Sequence, residues 1–189
     1  MKVHPIEAQS YRILASRVDL GHLAPGPRAI VERVIHASAD LSYADTVVIT
    51  EDAVGAGVSA LAARAPVVVD VEMVAAAITS VPTECFLAAA RTSDRGDPTR
   101  SAAAVRLAAE RHPDGAIFVI GCAPTALTAV VDLAAAGMVR PALVVGMPVG
   151  FVGAAESKEA LRRSGLASIS NVGERGGSAS AAKQTRARR

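Results

Sequence analysis

Aromatic side chains are scarce in this chain of 189 residues, which has no tryptophan, two tyrosines and three phenylalanines. Proteins that stack nucleic-acid bases depend on such rings, so the composition argues against that mode of binding. The hydrophobic fraction is nevertheless 51%, enough for a folded core built from Ala, Val, Leu and Ile. The length predicts a single domain, which we place at residues 1–182 and assign to the α/β class below. The basic residues 183–189 are expected to form a disordered tail.

A net positive charge is also lacking on the body of the protein. The formal net charge is +2, but Lys183 and three arginines among the last seven residues carry four positive charges, which leaves −2 for the rest. A body of that charge does not form a nucleic-acid surface. Cysteine is rare as well: Cys85 and Cys122 lie far apart, without the close spacing of metal-ligand pairs. We therefore predict no metal site, and the two thiols suit a reducing compartment.

Long hydrophobic runs are absent too. The longest uncharged stretch, residues 115–131, is interrupted by Gly121 and Pro124, which is typical of a strand followed by a helix rather than a membrane span. The amino terminus has no apolar segment of signal-peptide length. We expect a cytoplasmic protein that does not bind membranes.

Short apolar runs rich in β-branched residues alternate with helical segments, and this alternation predicts a doubly wound, mostly parallel sheet with helices on both faces. The four predicted buried parallel strands are 46–50, 67–71, 117–120 and 143–145, with a weaker fifth at 84–88. The predicted helices are 28–38, 54–64, 72–79, 100–112, 125–136 and 157–164, with a short one after the glycines at 173, 176 and 177. Residues 1–40 form an extension with one helix, preceded by a Pro25-Gly26-Pro27 loop. Thr99 suits a helix cap, Pro124 a first turn and Gly137 a helix end.

Ligands of open parallel sheets bind beyond the carboxyl ends of the strands. That rule selects four loops: 51–52, 70–72, 121–125 and 146–153. The glycine spacing of the last loop is not that of a dinucleotide fingerprint, and no Walker A, nucleophile-elbow or zinc-protease motif occurs. A phosphate-binding enzyme stays open as a weak alternative.

His36 is the histidine best suited to chemistry. It lies near the end of a predicted helix with a buried apolar stripe, and Glu32 precedes it by one turn. A carboxylate at that spacing favours the imidazolium form, which can donate a proton near neutral pH. From spacing alone, a solvated Glu32–His36 surface pair is the interpretation to be preferred.

Arginines form the second candidate group, because guanidinium groups bind carboxylates through two parallel hydrogen bonds. Those in predicted loops or at helix starts are Arg12, Arg17, Arg91, Arg95, Arg100 and Arg175. The segment from Arg91 to Arg100 is the strongest candidate for an anion site. Ser157 and Lys158, at another helix start, form a weaker one.

Several strings, taken in order along nearly the whole chain, resemble the precorrin-8X methylmutase family. They are His-Pro-Ile-Glu at 4–7, Ser-Tyr-Arg-Ile at 10–13, Val-Ile-His-Ala at 34–37, Thr-Arg-Ser-Ala at 99–102, Ala-Pro-Thr-Ala-Leu at 123–127 and the run 140–158. The resemblance implies an isomerase of cobalamin biosynthesis that moves a methyl group between adjacent ring carbons of a corrin precursor, giving hydrogenobyrinate. It implies a tetrapyrrole substrate and a homodimer. It implies no organic cofactor or metal.

The family's catalytic histidine corresponds to His36, whose implied role is general acid. The substrate carries acetate and propionate arms, so the resemblance gives the arginine loops an anionic ligand. The implied substrate-binding residues are Ser10, Arg12, Arg91, Thr99, Arg100, Cys122, Thr125, Lys158 and Arg175. Two positions depart from the family pattern: Cys122 stands where Asn is usual, and Glu174 replaces a cation.

A carrier that holds a tetrapyrrole without converting it is the alternative from a different class of function. The retained His36 argues against it. Whether the substrate already contains cobalt is left open, because the metal-free and cobalt-loaded routes use closely related methylmutases.

Overall fold

The computed structural model describes residues 4–91 and 99–182, which form an α/β fold. The helices are α1 Pro5–Arg17, α2 Pro25–Ser38, α3 Tyr43–Thr46, α4 Ala53–Ala62, α5 Glu72–Ala77, α6 Arg100–Arg111, α7 Pro124–Ala135, α8 Ala154–Arg163 and α9 Ser178–Ala182. The strands are β1 Val47–Ile49, β2 Val67–Val69, β3 Glu84–Cys85, β4 Ile117–Ile120, β5 Leu143–Gly146 and β6 Ser168–Asn171. The predicted basic tail and Arg95 lie outside the described residues.

The six strands form one sheet in the order β1-β6-β5-β4-β2-β3, and every neighbouring pair except β1–β6 is parallel. The prediction of a mostly parallel sheet is confirmed. The prediction that the first strand is buried and parallel is wrong, because β1 is a partly buried edge strand that runs antiparallel to β6. Its direction depends on a partner more than a hundred residues away, and no local pattern in β1 contains that information.

Helices cover both faces of the sheet, as predicted. Side chains of a strand alternate between its two faces, so Val67 and Val69 pack into one hydrophobic cluster and Val68 into the other. The first cluster includes residues of α1, α2, α4, α5 and α9, whereas the second includes residues of α6, α7 and α8. Both clusters consist mainly of aliphatic side chains, in keeping with the scarcity of aromatics.

The sequence analysis did not predict three elements: α1, the four-residue helix α3 and β6. Helix α1 has a weakly amphipathic sequence with one buried residue, Leu14, so it lacks the apolar stripe by which helices are usually found. Strand β6 reads Ser-Ile-Ser-Asn and is fully buried despite its polarity. It forms because β5 and β1 hydrogen-bond to its backbone on either side.

Three predicted helix-boundary residues are confirmed. The hydroxyl of Thr99 accepts a hydrogen bond from the Ala102 N–H at the start of α6. Pro124 occupies the first turn of α7, and Gly137 follows its end with a φ of 70°, where glycine fits best. The expected loop at residues 25–27 is instead the first turn of α2, because Pro25 suits a helix start. No helix of the described ranges is long and apolar enough to cross a membrane.

Candidate functional site

His36 is oriented by two residues of α1. Its Nδ1 lies 2.7 Å from the Ser10 Oγ, and its ring stacks on Tyr11 with centroids 4.9 Å apart and an angle of 18° between the planes. The side chain is partly buried. Since Nδ1 is occupied by Ser10, Nε2 is the nitrogen left for a ligand.

The partner of His36 therefore differs from the one that helical spacing suggested. We expected Glu32, one turn earlier in α2, to pair with the imidazole. The hydrogen bond goes instead to Ser10, a contact between residues 26 positions apart. Sequence spacing along one helix could not reveal it, because it depends on how α1 packs against α2.

Asp70 fixes the loop that follows β4. Its carboxylate accepts hydrogen bonds from the backbone N–H groups of Gly121, Cys122 and Ala123, at 3.1, 2.8 and 2.8 Å. Burial raises the pKa of Asp70, although these three donors oppose the rise. The N–H groups of this turn would suit an anionic ligand, but the protein's own carboxylate already occupies them.

Cys122 stands in this loop beside Asp70. Burial, and then the negative charge of Asp70, raise the pKa of the Cys122 thiol. The side chain is partly exposed and offers an S–H, where the resemblance described above implies an amide. It is a weaker hydrogen-bond donor than an amide N–H.

Thr99 and Thr125 meet beside that loop. Their hydroxyl oxygens lie 2.7 Å apart, which joins the start of α6 to the first turn of α7. Arg100 follows Thr99 and is exposed at the amino end of α6. The predicted group of Thr99, Arg100 and Thr125 is thus brought together at the carboxyl edge of the sheet, next to the loop that carries Cys122.

Arg175 joins the end of α2 to the loop 171–177. One nitrogen of its guanidinium donates to the Asp40 Oδ2 and to the Ser42 Oγ, both at 2.5 Å. The hydrogen bond from Ser42, together with the positive charge of Arg175, lowers the pKa of Asp40. The Arg175 side chain is 63% exposed. Asp40 follows His36 by four residues, so this ion pair brings the loop to the helix end that carries His36.

Helix α9, which follows that loop, packs against the turn after β4. A Cβ atom at Gly121 would collide with Val74 and touch Ala181 and the backbone of Ser178. Glycine is therefore needed for this close approach. Through α9, the loop of Arg175 and the loop of Cys122 lie along one edge of the sheet.

Ser157 and Lys158 do not lie at a helix start as predicted, because α8 begins at Ala154, and the Lys158 side chain is fully buried. Its ammonium donates to the Asn171 Oδ1 at 3.2 Å and to the carbonyl oxygen of Arg175 at 2.5 Å. Burial, and then the charge of Arg162, lower the pKa of Lys158 to about 8.

Arg12 and Arg91 are exposed. Arg12 lies within α1 rather than in the predicted loop, two residues from Ser10. Arg91 stands at the end of the first described range. A cavity of about 510 Å³ lies at the opposite, amino edge of the sheet, where Arg64, Pro66 and Glu84 contribute to its lining. It contains none of the predicted site residues.

Four residues that organise this edge were not predicted as site residues: Tyr11, Asp40, Asp70 and Asn171. Asp70 had a visible signal, because it follows β2 in one of the four loops at the carboxyl edge. Asn171 had none, since the strand that it ends is polar. Within the described ranges, no group of three or more His, Cys, Asp or Glu side chains could hold a metal ion.

Comparison with known proteins gives one consistent result. A family model described as precorrin-8X methylmutase matches residues 5–187. The cobalt-precorrin-8 methylmutase of Methanocaldococcus jannaschii is 42% identical over 151 residues, 78% of this chain and 71% of that protein. The precorrin-8X methylmutase of Pseudomonas aeruginosa is 38% identical over 189 residues, covering 94% of this chain and 90% of that one.

The fold is similar as well. A crystal structure of precorrin-8X methylmutase from Thermus thermophilus superimposes with a TM-score of 0.87 and 36% sequence identity, covering 95% of this chain and 91% of the other. The similarity in sequence and in fold extends over nearly the whole chain.

Proposed function

The chain belongs to the precorrin-8X methylmutase family and is an isomerase of cobalamin biosynthesis; from this premise we propose that His36 is the general acid of its methyl migration. The substrate that we propose is precorrin-8X or its cobalt-containing counterpart, and the product of the metal-free route is hydrogenobyrinate.

The contact of His36 with Ser10 is the observation that supports this role best. In the protonated imidazole, Nδ1–H donates to the Ser10 Oγ over 2.7 Å, and Nε2–H is the proton left for the substrate. Stacking on Tyr11 restricts rotation of the ring. A general acid must be held in this way before it can deliver a proton to one atom of a rigid macrocycle.

Protonation supplies the driving force for the migration. A proton added to the conjugated macrocycle withdraws electrons from the ring carbon that receives the methyl group, and the methyl moves with its bonding pair. Substrate and product of an isomerase have the same atoms, so the macrocycle afterwards returns the proton to the His36 imidazole. The cycle needs no oxidant, reductant or second substrate.

The carboxylate arms of the substrate are bound, in this proposal, by side chains at the carboxyl edge of the sheet. Arg100 is the first choice, because a guanidinium binds a carboxylate through two hydrogen bonds. Thr99, Thr125 and Cys122 line the neighbouring loops. Arg91 and Arg175 complete this set, and Ser10 and Arg12 of helix α1 are proposed to meet the substrate on the side of His36.

We also propose that two copies of the chain associate. The carboxyl edge presents Phe151 and Val152, each 89% exposed, on the loop 146–153. Exposed apolar side chains of this size favour a contact with a second molecule. A homodimer would cover them and enclose a substrate that one copy leaves open to solvent.

The decisive experiment mixes the purified chain with excess precorrin-8X or excess cobalt-precorrin-8 and follows the visible spectrum. A methylmutase converts many molecules of one substrate, and the faster reaction identifies the natural one. A non-catalytic tetrapyrrole carrier would stop at one ligand per site, and that result with both compounds would refute the proposed activity.

A further inference from the structure

Lys158 is the most completely buried charged side chain of the described residues, and its hydrogen bonds to Asn171 and Arg175 involve no carboxylate. It belongs to α8 and is fully enclosed by protein. Both of its hydrogen-bond acceptors are neutral groups: the amide oxygen of Asn171 and the carbonyl oxygen of Arg175. Transfer of an ammonium from water to such a site is costly.

The carbonyl of Arg175 is the focus of this cluster. It accepts one hydrogen bond from Lys158 at 2.5 Å and a second from the Asn171 Nδ2 at 2.8 Å. The Asn171 side chain in turn accepts from Lys158. Two buried donors therefore fix the main chain of a residue whose own side chain is mostly exposed.

The rest of the loop is tied down by main-chain contacts. The Gly150 N–H donates to the carbonyl of Glu174, and the Gly177 N–H donates to the carbonyl of Met147. A Cβ atom at Gly176 would overlap the carbonyl oxygens of Met147 and Pro148. The loop thus lies directly against the loop 146–153 on one side and above Lys158 on the other.

The direction in which Arg175 extends follows from this support. Its side chain crosses to Asp40 and Ser42 at the end of α2, beside the helical turn that carries His36. One guanidinium nitrogen makes both contacts, and the other two nitrogens still carry hydrogens for a carboxylate. A shift of the main chain at Arg175 would move these donors relative to His36.

We propose that Lys158 is a positioning residue that sets affinity for the tetrapyrrole by holding Arg175 in place. This inference rests on the proposed function, in which Arg175 binds a carboxylate arm of the substrate. It replaces the expectation that Lys158 itself contacts substrate. The lowered pKa of the ammonium, about 8, agrees with a group held at a cost in desolvation.

Two variants separate the charge of Lys158 from its hydrogen bonds. Lys158→Met has a similar length and volume but donates no hydrogen bond, so the Arg175 carbonyl keeps only Asn171. Lys158→Gln retains donors without a charge. We expect Lys158→Met to raise KM and weaken product binding by about tenfold, the size of one lost charged hydrogen bond, with kcat changed far less. Lys158→Gln is expected to recover part of the affinity.

Arg163 provides the matched control. It lies on the same helix, and its guanidinium forms an exposed salt bridge with Glu159 at 2.5 Å. Arg163→Met removes a charge and an ion pair from α8 without touching the Lys158 cluster, and we expect no more than about a twofold change in KM. A second control, Leu133→Ala, lowers the stability of the core at a distance from this loop. Its KM should stay at the parent value while its melting temperature falls.

A double-mutant cycle with Arg175→Ala decides whether Lys158 acts through Arg175. If it does, Lys158→Met changes KM by less than about twofold once Arg175 is alanine. Additive effects, or an unchanged KM in the Lys158→Met and Lys158→Gln single variants, would overturn the inference alone. An Arg175→Ala variant with unchanged KM and product affinity would instead remove Arg175 from the proposed binding set, and the inference would fall with it. Should Lys158→Met not fold, the same cycle with Lys158→Gln gives the answer.

Discussion

The helix pair α1–α2 and the loops at the carboxyl edge of the sheet hold their polar side chains in different ways. On the helix pair, His36 is oriented by two neighbouring side chains, the hydroxyl of Ser10 and the ring of Tyr11. In the loops, buried charges fix the main chain: Asp70 binds three N–H groups after β4, and Lys158 binds the Arg175 carbonyl. The first arrangement orients one side chain, whereas the second shapes a surface.

This difference matches two requirements of the proposed reaction. Proton delivery needs one titratable group in one orientation, and a partly buried histidine between two helices provides it. Binding a large molecule with several carboxylates needs many donors at fixed distances, and rigid loops provide those. Substitutions in the two regions should therefore have different signatures, which the following predictions use in order of decreasing effect.

The largest effect is expected at His36. Replacement by Asn or Ala should lower the rate of conversion by about two to four orders of magnitude, the usual contribution of a positioned acid. Folding and product binding should be nearly unchanged, because the proposed carboxylate contacts come from other residues. Rapid-mixing kinetics at saturating enzyme measure the conversion step itself. A parent rate in His36→Asn would refute the general-acid role, and loss of product binding would reassign His36 to substrate positioning.

The next effect is expected at Arg100, in the binding region. Arg100→Ala should weaken product binding by roughly 1.5 to 3 kcal/mol for each charged hydrogen bond that is lost. Arg100→Lys should weaken it less, since lysine keeps the charge but not the two-pronged geometry. Calorimetric titration with hydrogenobyrinate measures both affinities. Equal affinity of the Ala variant and the parent would remove Arg100 from the site.

Asp70→Asn tests how the loop after β4 is held. Asparagine has the same shape but only one acceptor oxygen for three N–H groups, so we expect a loss of about 1 to 3 kcal/mol in the free energy of unfolding. The pH dependence should also change. Because the folded-state pKa of Asp70 is raised, this group stabilises the fold below its unfolded pKa of 3.8, and the contribution is lost as pH rises through the folded value. Urea unfolding at several acidic pH values should show that component in the parent and not in the variant.

Lys158 predicts a pH effect in the alkaline range. Its folded-state pKa is lowered to about 8 from 10.5, so the unfolded chain binds more protons between these values. The contribution of this residue to the free energy of unfolding therefore rises as pH increases from about 8 to 10.5. It is lost when the pH is lowered through the same range. The charge of Arg162 lowers the pKa of Lys158 further, and the charge of Glu174 opposes that change. Thermal unfolding across this range should show the rise in the parent, and an identical profile in Lys158→Met would contradict it.

The smallest effect is expected at Cys122. Its backbone N–H is already bound by Asp70, so Cys122→Asn changes only the side chain and restores the amide usual in the family. We expect product affinity to be equal to the parent's or higher. Titration of the folded variant is sufficient, and affinity reduced tenfold or more would show that Cys122 is not a simple replacement for asparagine.

Sequence reasoning predicted which loops lie at the carboxyl edge of the sheet better than it predicted the contacts within them. The rule that ligands bind at the carboxyl ends of parallel strands selected the loops with Asp70 and Cys122, and a threonine cap was expected at Thr99. The hydrogen bond between Thr99 and Thr125 joins two helix starts, and its distance depends on how α6 and α7 pack. Such a contact has no local signal.

The helix pair was harder to predict. His36 was singled out, but its hydrogen-bond partner was expected on the same helix, because spacing along a helix is the relationship that a sequence shows. Strand β6 was missed for a related reason: its burial depends on β1 and β5, not on its own polar residues. Without β6, neither the antiparallel edge strand nor the place of Asn171 beneath the loop could be inferred.

The central claim, that the helix pair supplies the proton and the loops at the carboxyl edge supply most of the carboxylate binding, is tested most directly by one crossed measurement. Single-turnover conversion of precorrin-8X and product titration are performed side by side on the parent, His36→Asn and Arg100→Ala. We predict that His36→Asn loses conversion by at least about a hundredfold and keeps its product affinity. Arg100→Ala should lose affinity but convert bound substrate at close to the parent rate. Parallel losses of rate and affinity in both variants would contradict the separation of the two regions.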